Sequence, residues 1–402
     1  MKDYQKIKEL CQLSSKISAI VVDEFLMNYV ADKEKLVSPM MTSIGKHKNV
    51  TNEIGQEYVN RIMAEFLVHK IFKEGGYIGK YLKQTAIKSL PEAQLQYLEF
   101  QHEHPWRFSY SVILNEPAPD FYKMQDVFSG EEYLLYSPGT TQTFKTQKPI
   151  LWFNLIGFNG ECWQTYGLIT GFNGFTEDDI FFFATELNPE IQDEQDLLEE
   201  LEQNPIPFIL LLAGANYPLI TSKHKGLAIA HWAAMDEIGE LDTQQYKNNF
   251  HIAWNKDVYH LKLKDWCENP HFASAFYDEK QKTLFRYALT ENGFEALTKA
   301  FGHLNLSPEA DTHVVLSMVM TTEKILNRKI IINPYENFFE KTVSEKEQKS
   351  TDLMNKFIQL ALPYFNEGKE PDLEALAKQA GIDIVNARSL WEFLNKQMKE
   401  SR

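Results

Sequence analysis

The chain has 402 residues, of which 44% are hydrophobic and 13% aromatic, so it is too long for one ordinary core and carries enough apolar surface to fill several. The formal net charge of −15 repels phosphate backbones and anionic lipid head groups, which argues against broad affinity for nucleic acids or membranes. The longest apolar runs, 149–158 and 206–215, are shorter than the roughly 20 residues that a bilayer span needs. The amphipathic start of the chain lacks the continuous apolar core of a signal peptide, and we therefore expect a globular cytoplasmic protein.

Helical spacing dominates the N-terminal region, residues 1–104. Apolar residues recur every three or four positions between Val59 and Ile71, which predicts a long amphipathic helix. The sequence therefore predicts a helical domain at 1–104.

Residues 105–204 change to a strand-like pattern. Short aromatic and β-branched runs predict strands at 108–114, 132–136, 150–156 and 162–169. The pair Asn159-Gly160 between the last two runs favours an antiparallel hairpin with a type I′ turn. This domain is expected to be a small antiparallel β-barrel or sandwich followed by an acidic helix, and the cluster 181–183 fits either a helix or a strand.

Pro205 and Pro207 mark the start of a third region, 205–343, which is expected to combine a sheet with helices. A hairpin loop is predicted at 222–226 and an amphipathic helix after Thr290. Strands are predicted at 218–221, 227–233, 251–254, 258–263, 272–277, 283–289 and 313–320.

The charged run 344–350 is the best candidate for a linker, and a small helical module follows at 350–402. Together the four regions predict a multi-module α+β protein. Within the last module, Ala377 allows two helices to approach and Gly381 supplies a turn, a spacing typical of a helix-turn-helix unit.

If this unit read DNA, its second helix would present Asn386, Arg388 and Ser389 beside Glu392. The module from 350 to 402 has seven Lys or Arg against eight Asp or Glu, which falls short of the basic surface of a nucleic-acid reader. Packing of three helices is the alternative interpretation.

Metal chemistry has weak support. Three histidine pairs and three carboxylates supply suitable atoms, but no spacing matches an established zinc pattern. The candidates are His102 with His104, His224 with His231, His251 with His260, and Asp236, Asp257 and Asp265. Hydrogen-bonded or surface histidines are the simpler interpretation, and no metal site is predicted.

The three cysteines, Cys11, Cys162 and Cys267, are odd in number and form no Cys-x-x-Cys pair. They predict neither a disulfide framework nor a zinc site, and we expect buried thiols. No nucleophile motif or phosphate-binding loop is present, so no catalytic residue and no cofactor is predicted.

An aromatic and polar binding face on the barrel is a further candidate. Its residues are Trp152, Asn154, Trp163 and Gln164, with Phe153 and Tyr166 nearby. Strand alternation turns part of this set inward, so core packing is the simpler explanation.

The stretch 126–134, with Asp126-Val127-Phe128-Ser129-Gly130, and the later Gly167-Leu168-Ile169-Thr170-Gly171 resemble a barrel-like region of uncharacterised bacterial proteins that often end in a SEC-C zinc-binding motif. The segment 285–297, with Thr290-Glu291-Asn292-Gly293, is similar to a strand-then-helix element of the same proteins. The resemblance covers about residues 108–305 and implies a small barrel. The SEC-C cysteines are absent here, so the resemblance supplies no zinc ligand and no catalytic residue.

These observations favour a non-enzymatic binding, adaptor or regulatory protein whose partner is another protein or a small ligand. The first alternative is a DNA-binding transcriptional regulator that contacts nucleic acid only through 350–402. The second alternative is a metal-dependent hydrolase built on the histidines. The sequence leaves the ligand and the oligomeric state open.

Overall fold

A computed structural model describes residues 3–216, 230–267, 272–339, 353–361, 364 and 369–399. The chain forms two compact units, Met1–Asn333 and Pro334–Arg402. The fold is α+β, as predicted, with helices at both ends, a closed barrel and a second sheet. In the described part of the chain, no helix combines the length and apolarity needed to cross a bilayer. The predicted boundaries at 104 and 204 fall inside the first unit, and its compactness does not test them, since one unit can hold several domains.

The N-terminal region is helical, and its longest helix carries a buried face at the spacing predicted between Val59 and Ile71. The helices are α1 Tyr4–Ser18, the π-helix Ala19–Leu26, α2 Met27–Glu34, α3 Val37–Gly45, α4 Lys48–Ile54, α5 Gln56–Phe72, α6 Ile78–Tyr81, α7 Thr85–Lys88 and α8 Glu92–Glu103.

A five-stranded barrel follows. Its strands are β1 Arg107–Ala118, β2 Phe121–Asp126, β3 Glu132–Tyr136, β4 Leu151–Phe158 and β5 Trp163–Phe172, in the order β1-β2-β3-β5-β4. Four of the pairings are antiparallel, and the barrel closes through a parallel pairing of β3 with β5. The helix α9, Pro138–Phe144, makes that parallel closure geometrically feasible because it carries the chain from β3 to β4.

The sequence alternation of β4 divides its side chains between two cores. Leu151, Phe153 and Leu155 belong to the main core of the first unit, whereas Trp152 and Ile156 belong to the barrel interior. The main core extends from the N-terminal helices through the outer barrel surface to the helices α10 Glu177–Leu187, α11 Glu194–Gln203 and α12 Pro205–Ile209 and the 3₁₀ helix Leu210–Asn216. The barrel is therefore packed into the helical region along one side.

The second sheet has six antiparallel strands in the order β11-β6-β10-β9-β8-β7. Their bounds are β6 Ala230–Glu237, β7 Phe250–Asn255, β8 Val258–Leu263, β9 Ala273–Asp278, β10 Thr283–Ala288 and β11 Thr312–Val315. The remaining helices of this region are α13 Glu291–Ala300, α14 Leu316–Leu326 and the short 3₁₀ turns Thr243–Tyr246 and Lys264–Trp266.

The second unit contains α15 Glu336–Phe339, α16 at 353–361, α17 Leu373–Ala380 and α18 Ile384–Lys399. Asp372 caps α17 through its side chain, and Gly381 ends it with a φ of 83°, a backbone conformation that L side chains rarely adopt. Phe357, Leu376 and Trp391 join the three helices in one small core.

Several local predictions need correction. Strand β2 is absent from the predicted set, and of the strand predicted at 313–320 only the first residues are extended, because α14 begins at Leu316. The cluster 181–183 is helical. The hairpin at Asn159-Gly160 is confirmed, but its turn is not type I′, since only Gly160 has a positive φ, 100°, and Asn159 instead turns the chain through its side-chain oxygen.

Other predictions lie outside the described residues or are wrong on burial. The strand 218–221, the loop 222–226 and the linker 344–350 are outside them, as are the first three residues of the strand 227–233. Cys267 is exposed rather than buried, whereas Cys11 and Cys162 are buried as expected.

A buried ion pair holds the second sheet to α13. Arg286 on β10 is fully buried and binds Asp236 of β6 through Nε and a terminal nitrogen, at 2.9 and 2.8 Å. The guanidinium also donates to Thr298 and to the Ser307 carbonyl, and it lies 4.9 Å from the centre of the Phe294 ring. Every one of these contacts satisfies a group that burial would otherwise penalise.

We expect Arg286→Ala to destabilise the first unit by about 3–5 kcal/mol, because it leaves the Asp236 carboxylate without its cation. The measurement is the free energy of unfolding in urea.

The matched control is Arg61→Ala, which removes an exposed pair with Glu57 whose side chains are 58% and 78% exposed. Its cost should stay below about 1 kcal/mol. Equal losses in the two variants would contradict the structural role of Arg286.

Candidate functional site: a polar and aromatic pocket beside the barrel

A pocket of about 200 Å³ lies where the first helices meet strands β4 and β5. Its polar lining includes Ser14, Ser15 and Ser18 from α1, and Gln164 and Thr165 from β5. Aromatic side chains complete the wall. The lining residues of the first helices, 14–23, therefore lie more than 130 residues before those of β4 and β5 in the sequence.

The π-helix Ala19–Leu26 forms one side of the pocket through Ala19 and Asp23. The Met27 N–H bonds the Val22 carbonyl five residues back, the wider spacing that defines a π-helix. Segments of this kind are rare and are frequently found at functional sites. Asp23 accepts a 2.5 Å hydrogen bond from the Tyr166 hydroxyl across the pocket.

Four aromatic side chains line the pocket: Tyr97, Trp106, Phe158 and Tyr166. The rings of Trp106 and Tyr166 lie 5.2 Å apart, and the Trp106 indole N–H donates to Gln101. Burial raises the pKa of Tyr97 to about 12, and burial together with the bond to Asp23 raises the pKa of Tyr166. Both phenols are therefore neutral hydroxyls at physiological pH.

The charged side chain that lines the pocket is acidic. Asp23 supplies a carboxylate, and among the lining residues that the structure describes none is a lysine or an arginine. Aromatic faces and a carboxylate attract organic cations and offer nothing to a phosphate or carboxylate ligand.

Glu65 of α5 lies directly behind the pocket. Its side chain is 1% exposed and would lie 3.2 Å from a Cβ placed on Gly167, a lining residue with a φ of 76°. The β4–β5 pairing is interrupted here, between Phe153 and Leu155. The nearby Leu155 and Leu168 backbones favour the ionised form of Glu65, but its Oε2 has no hydrogen-bond partner among the described residues. Burial dominates its titration and raises the Glu65 pKa to about 8.

The structure does not bring the four residues of the predicted binding face together. Trp152 and Asn154 are 1% exposed and lie within the barrel wall, where Trp152 packs against Phe144 of α9. Trp152 pairs with Gly171 and Trp163 pairs with Phe158, so their backbone positions are about 20 Å apart along β4, although Trp163 packs against the same cluster as Trp152.

The other two predicted residues reach different surroundings. Trp163 is half-buried and stacks under the Arg107 guanidinium at 5.1 Å. Gln164 lines the pocket and donates to the Cys11 carbonyl and the Ser15 hydroxyl of α1, at 3.0 and 3.2 Å. Of the four, Gln164 alone belongs to the pocket.

A second cleft, of about 820 Å³, lies between α5, α11 and the start of β1. At its edge the buried His69 ring shares a 2.6 Å hydrogen bond with Glu202, which also accepts one from the Phe108 N–H. Burial lowers the His69 pKa, and the bond to His69 helps to lower the Glu202 pKa against the effect of burial. The described lining residues include no serine, threonine or cysteine, so no side-chain nucleophile of these types accompanies the pair in the cleft lining.

The histidines and carboxylates proposed as metal ligands lie apart. Within the described residues no three of them gather into a metal-binding group, and His224 lies outside those residues. His231 on β6 and His260 on β8 are separated by β10 and β9, about 14 Å across the sheet. Burial lowers the pKa of each to about 4.

The remaining candidates have other surroundings. Asp236 is engaged by Arg286, and Asp257 forms an ion pair with Lys280 at 2.5 Å. His104 bonds the Phe100 carbonyl, while His102, His251 and Asp265 are exposed.

The predicted DNA-contact residues Asn386, Arg388 and Ser389 are all exposed on α18. The Asn386 backbone N–H bonds an Asp383 oxygen at 2.9 Å, and its amide bonds the other oxygen. A carboxylate therefore lies beside one of the three.

No family model, curated protein or solved structure matches this chain. The resemblance to the SEC-C-associated proteins is therefore not tested and stays a prediction.

Glu65, Asp23 and Tyr97 lie in or directly behind the candidate site and were missed by the sequence interpretation. One signal for Glu65 was available, because it follows Ile62 by three positions on the buried face of α5, where an acid is out of place. Asp23 and Tyr97 carried no such signal.

We expect the stability of the chain to fall with rising pH through Glu65. Its pKa is about 8 in the folded chain and about 4.5 when unperturbed, so the folded state holds a proton that the unfolded state releases. The contribution of Glu65 to the free energy of unfolding is complete below about pH 4.5. It declines by about 1.4 kcal/mol per pH unit between about pH 4.5 and 8, and it ceases to change above pH 8.

Urea unfolding of the wild type and Glu65→Gln at pH 5.5, 6.5 and 7.5 tests this. The stability of the wild type relative to Glu65→Gln should decrease across the series, whereas the exposed Glu57→Gln should show no such trend. A difference that is constant with pH would contradict a buried, protonated Glu65.

Proposed function

We propose that the protein is a non-enzymatic binding protein whose pocket beside the barrel takes a small organic cation with an ammonium head group. One observation carries the proposal: four aromatic side chains and Asp23 line a pocket in which no described lining residue is cationic. Cation–π attraction and the carboxylate both favour a positive ligand, and an aromatic enclosure is a recurrent way to bind quaternary ammonium groups.

The volume supports a small ligand. About 200 Å³ is below the usual range of roughly 300–1,000 Å³ for drug-sized ligands. The hydroxyls of Ser14, Ser18 and Thr165 add hydrogen-bonding groups for a polar tail. A ligand with a compact cationic end and a short hydroxylated end fits this lining.

Isothermal titration of the full chain with choline tests the proposal, with 3,3-dimethylbutan-1-ol as the uncharged isostere. Choline should bind at least tenfold more tightly than the isostere, a difference of about 1.4 kcal/mol. Asp23→Asn should weaken choline binding about tenfold, because the carboxylate is lost while the shape is kept.

Asp32→Asn is the matched control, since Asp32 is an exposed acid on the next helix, outside the lining. Equal affinity for choline and the isostere, or equal effects of the two substitutions, would refute the proposal.

DNA binding through the second unit is the second candidate. The αL turn at Gly381 between α17 and α18 and the exposure of Arg388 favour it. We expect Arg388→Ala to weaken binding to duplexes selected by the full chain from a random pool by about 1–3 kcal/mol, if Arg388 contacts a base edge.

Lys378 is an exposed cation on α17, the helix before α18, so Lys378→Ala controls for the loss of one positive charge. Failure to enrich any duplex, or an unchanged affinity of Arg388→Ala, would reject this candidate. The metal-dependent hydrolase has no comparable support in the described residues.

A further inference from the structure

We propose that Cys11 and Cys162 form a reversible disulfide that fastens helix α1 to the β-barrel. The inference goes beyond the proposed ligand binding and does not depend on it. It rests on the placement of two thiols that the sequence separates by 151 residues.

The two sulfur atoms lie 3.4 Å apart. A disulfide has a sulfur–sulfur length of about 2.05 Å, so the approach needed to form one is little more than 1 Å. Cys11 lies within α1, and Cys162 lies at the end of the β4–β5 turn, immediately before β5. Because Cys11 lies in a helix and Cys162 directly precedes a strand, the fold fixes the position of both thiols.

The surroundings of the pair favour reaction. The Asn159 amide donates to the Cys11 sulfur at 3.2 Å and lies 3.7 Å from the Cys162 sulfur. Its oxygen accepts from the Glu161 and Cys162 N–H groups, so the amide is fixed in orientation. Hydrogen bonds from Cys162 and Asn159 lower the pKa of the Cys11 thiol, whereas burial acts in the opposite direction. The lower pKa raises the fraction of Cys11 that is thiolate.

One residue that contacts both sulfurs also lines a cleft. Asn159 lines a cleft of about 290 Å³, together with Leu10, Leu13 and Ser14 of α1. Cys11 and Cys162 are buried and are not among the described lining residues of this cleft. Oxidation of the pair requires α1 to move enough to admit a hydroperoxide.

The chemistry with hydrogen peroxide balances in two steps. The Cys11 thiolate attacks one peroxide oxygen, the O–O bond breaks, and hydroxide leaves and takes up a proton as water, giving a sulfenic acid. The Cys162 sulfur then attacks the Cys11 sulfur, the S–O bond breaks, and a second water leaves with the thiol proton. In total, two thiols lose two electrons and two protons, and one peroxide is reduced to two waters.

The bond would restrain α1 where it matters for the pocket. Ser14, Ser15 and Ser18, on the same helix as Cys11, line the pocket, and Gln164 already bonds the Cys11 carbonyl. Oxidation would therefore fix one wall of the pocket against β5.

Thiol counting on the full-length chain tests the proposal. The reduced, desalted protein is treated with hydrogen peroxide, denatured in guanidinium chloride with N-ethylmaleimide, and examined by intact mass and peptide mapping. We expect one alkylated cysteine, Cys267, a cross-linked peptide containing Cys11 and Cys162, and full reversal by dithiothreitol. The melting temperature of the oxidised protein should be several degrees above that of the reduced protein.

Cys267→Ser supplies the matched control, because Cys267 is exposed and its loss should leave the cross-link unchanged. The proposal is overturned if all three cysteines of the peroxide-treated protein are still free to react with N-ethylmaleimide. It is also overturned if Cys11 gains two oxygens without a cross-linked peptide. Both readouts use the wild-type chain, so they do not depend on whether a Cys11 or Cys162 variant folds.

Discussion

The contact between Glu65 and the interrupted β4–β5 ladder is the constraint on which the first unit depends. A closed five-stranded barrel is tight, and at Gly167 the chain leaves the regular pairing with a positive φ of 76°. The interruption frees backbone N–H groups that burial would penalise. The buried Glu65 side chain fills the space at Gly167, near the Leu155 and Leu168 backbones, and so joins α5 to the barrel at one depth and one orientation.

The junction between Glu65 and Gly167 fixes the part of β5 that lines the pocket. Gly167 forms part of the pocket wall and of the Glu65 contact, and Tyr166 beside it reaches across to Asp23 of the π-helix. On the other side, Gln164 and the Cys11–Cys162 pair hold α1 against the same strand. The binding and oxidation proposals therefore concern two ends of one interface, which a buried acid supports from behind. The Arg286 cluster has the same part in the second sheet, where a buried cation with several partners joins the sheet to α13.

The barrel and the second sheet show which strands can be predicted from the periodicity of the sequence. Strands at 251–254, 258–263 and 283–289 were predictable because alternation and turn residues are local properties. Strand β2 was missed although it pairs with its sequence neighbours β1 and β3. The helical part of 313–320 was missed because it packs against a distant segment, with Thr321 close beside Gly214. The Asn159 turn shows the same limit at short range, because its side-chain bonds replace the backbone conformation that Asn-Gly favours.

The sequence by itself determined the α+β class, the helical first region, a β-barrel or sandwich with its β4–β5 hairpin, and the paired helices α17 and α18, whereas the closure of the barrel through a parallel pairing came from the structure. Each of these follows from spacing between near neighbours, which a linear chain displays directly. Only the tertiary structure decided which polar residues meet. It placed Gln164 in a pocket, Asn154 inside the barrel wall, Asp236 on an arginine and Cys11 beside Cys162. Such contacts join residues tens to hundreds of positions apart, and their formation depends on packing that no local pattern records.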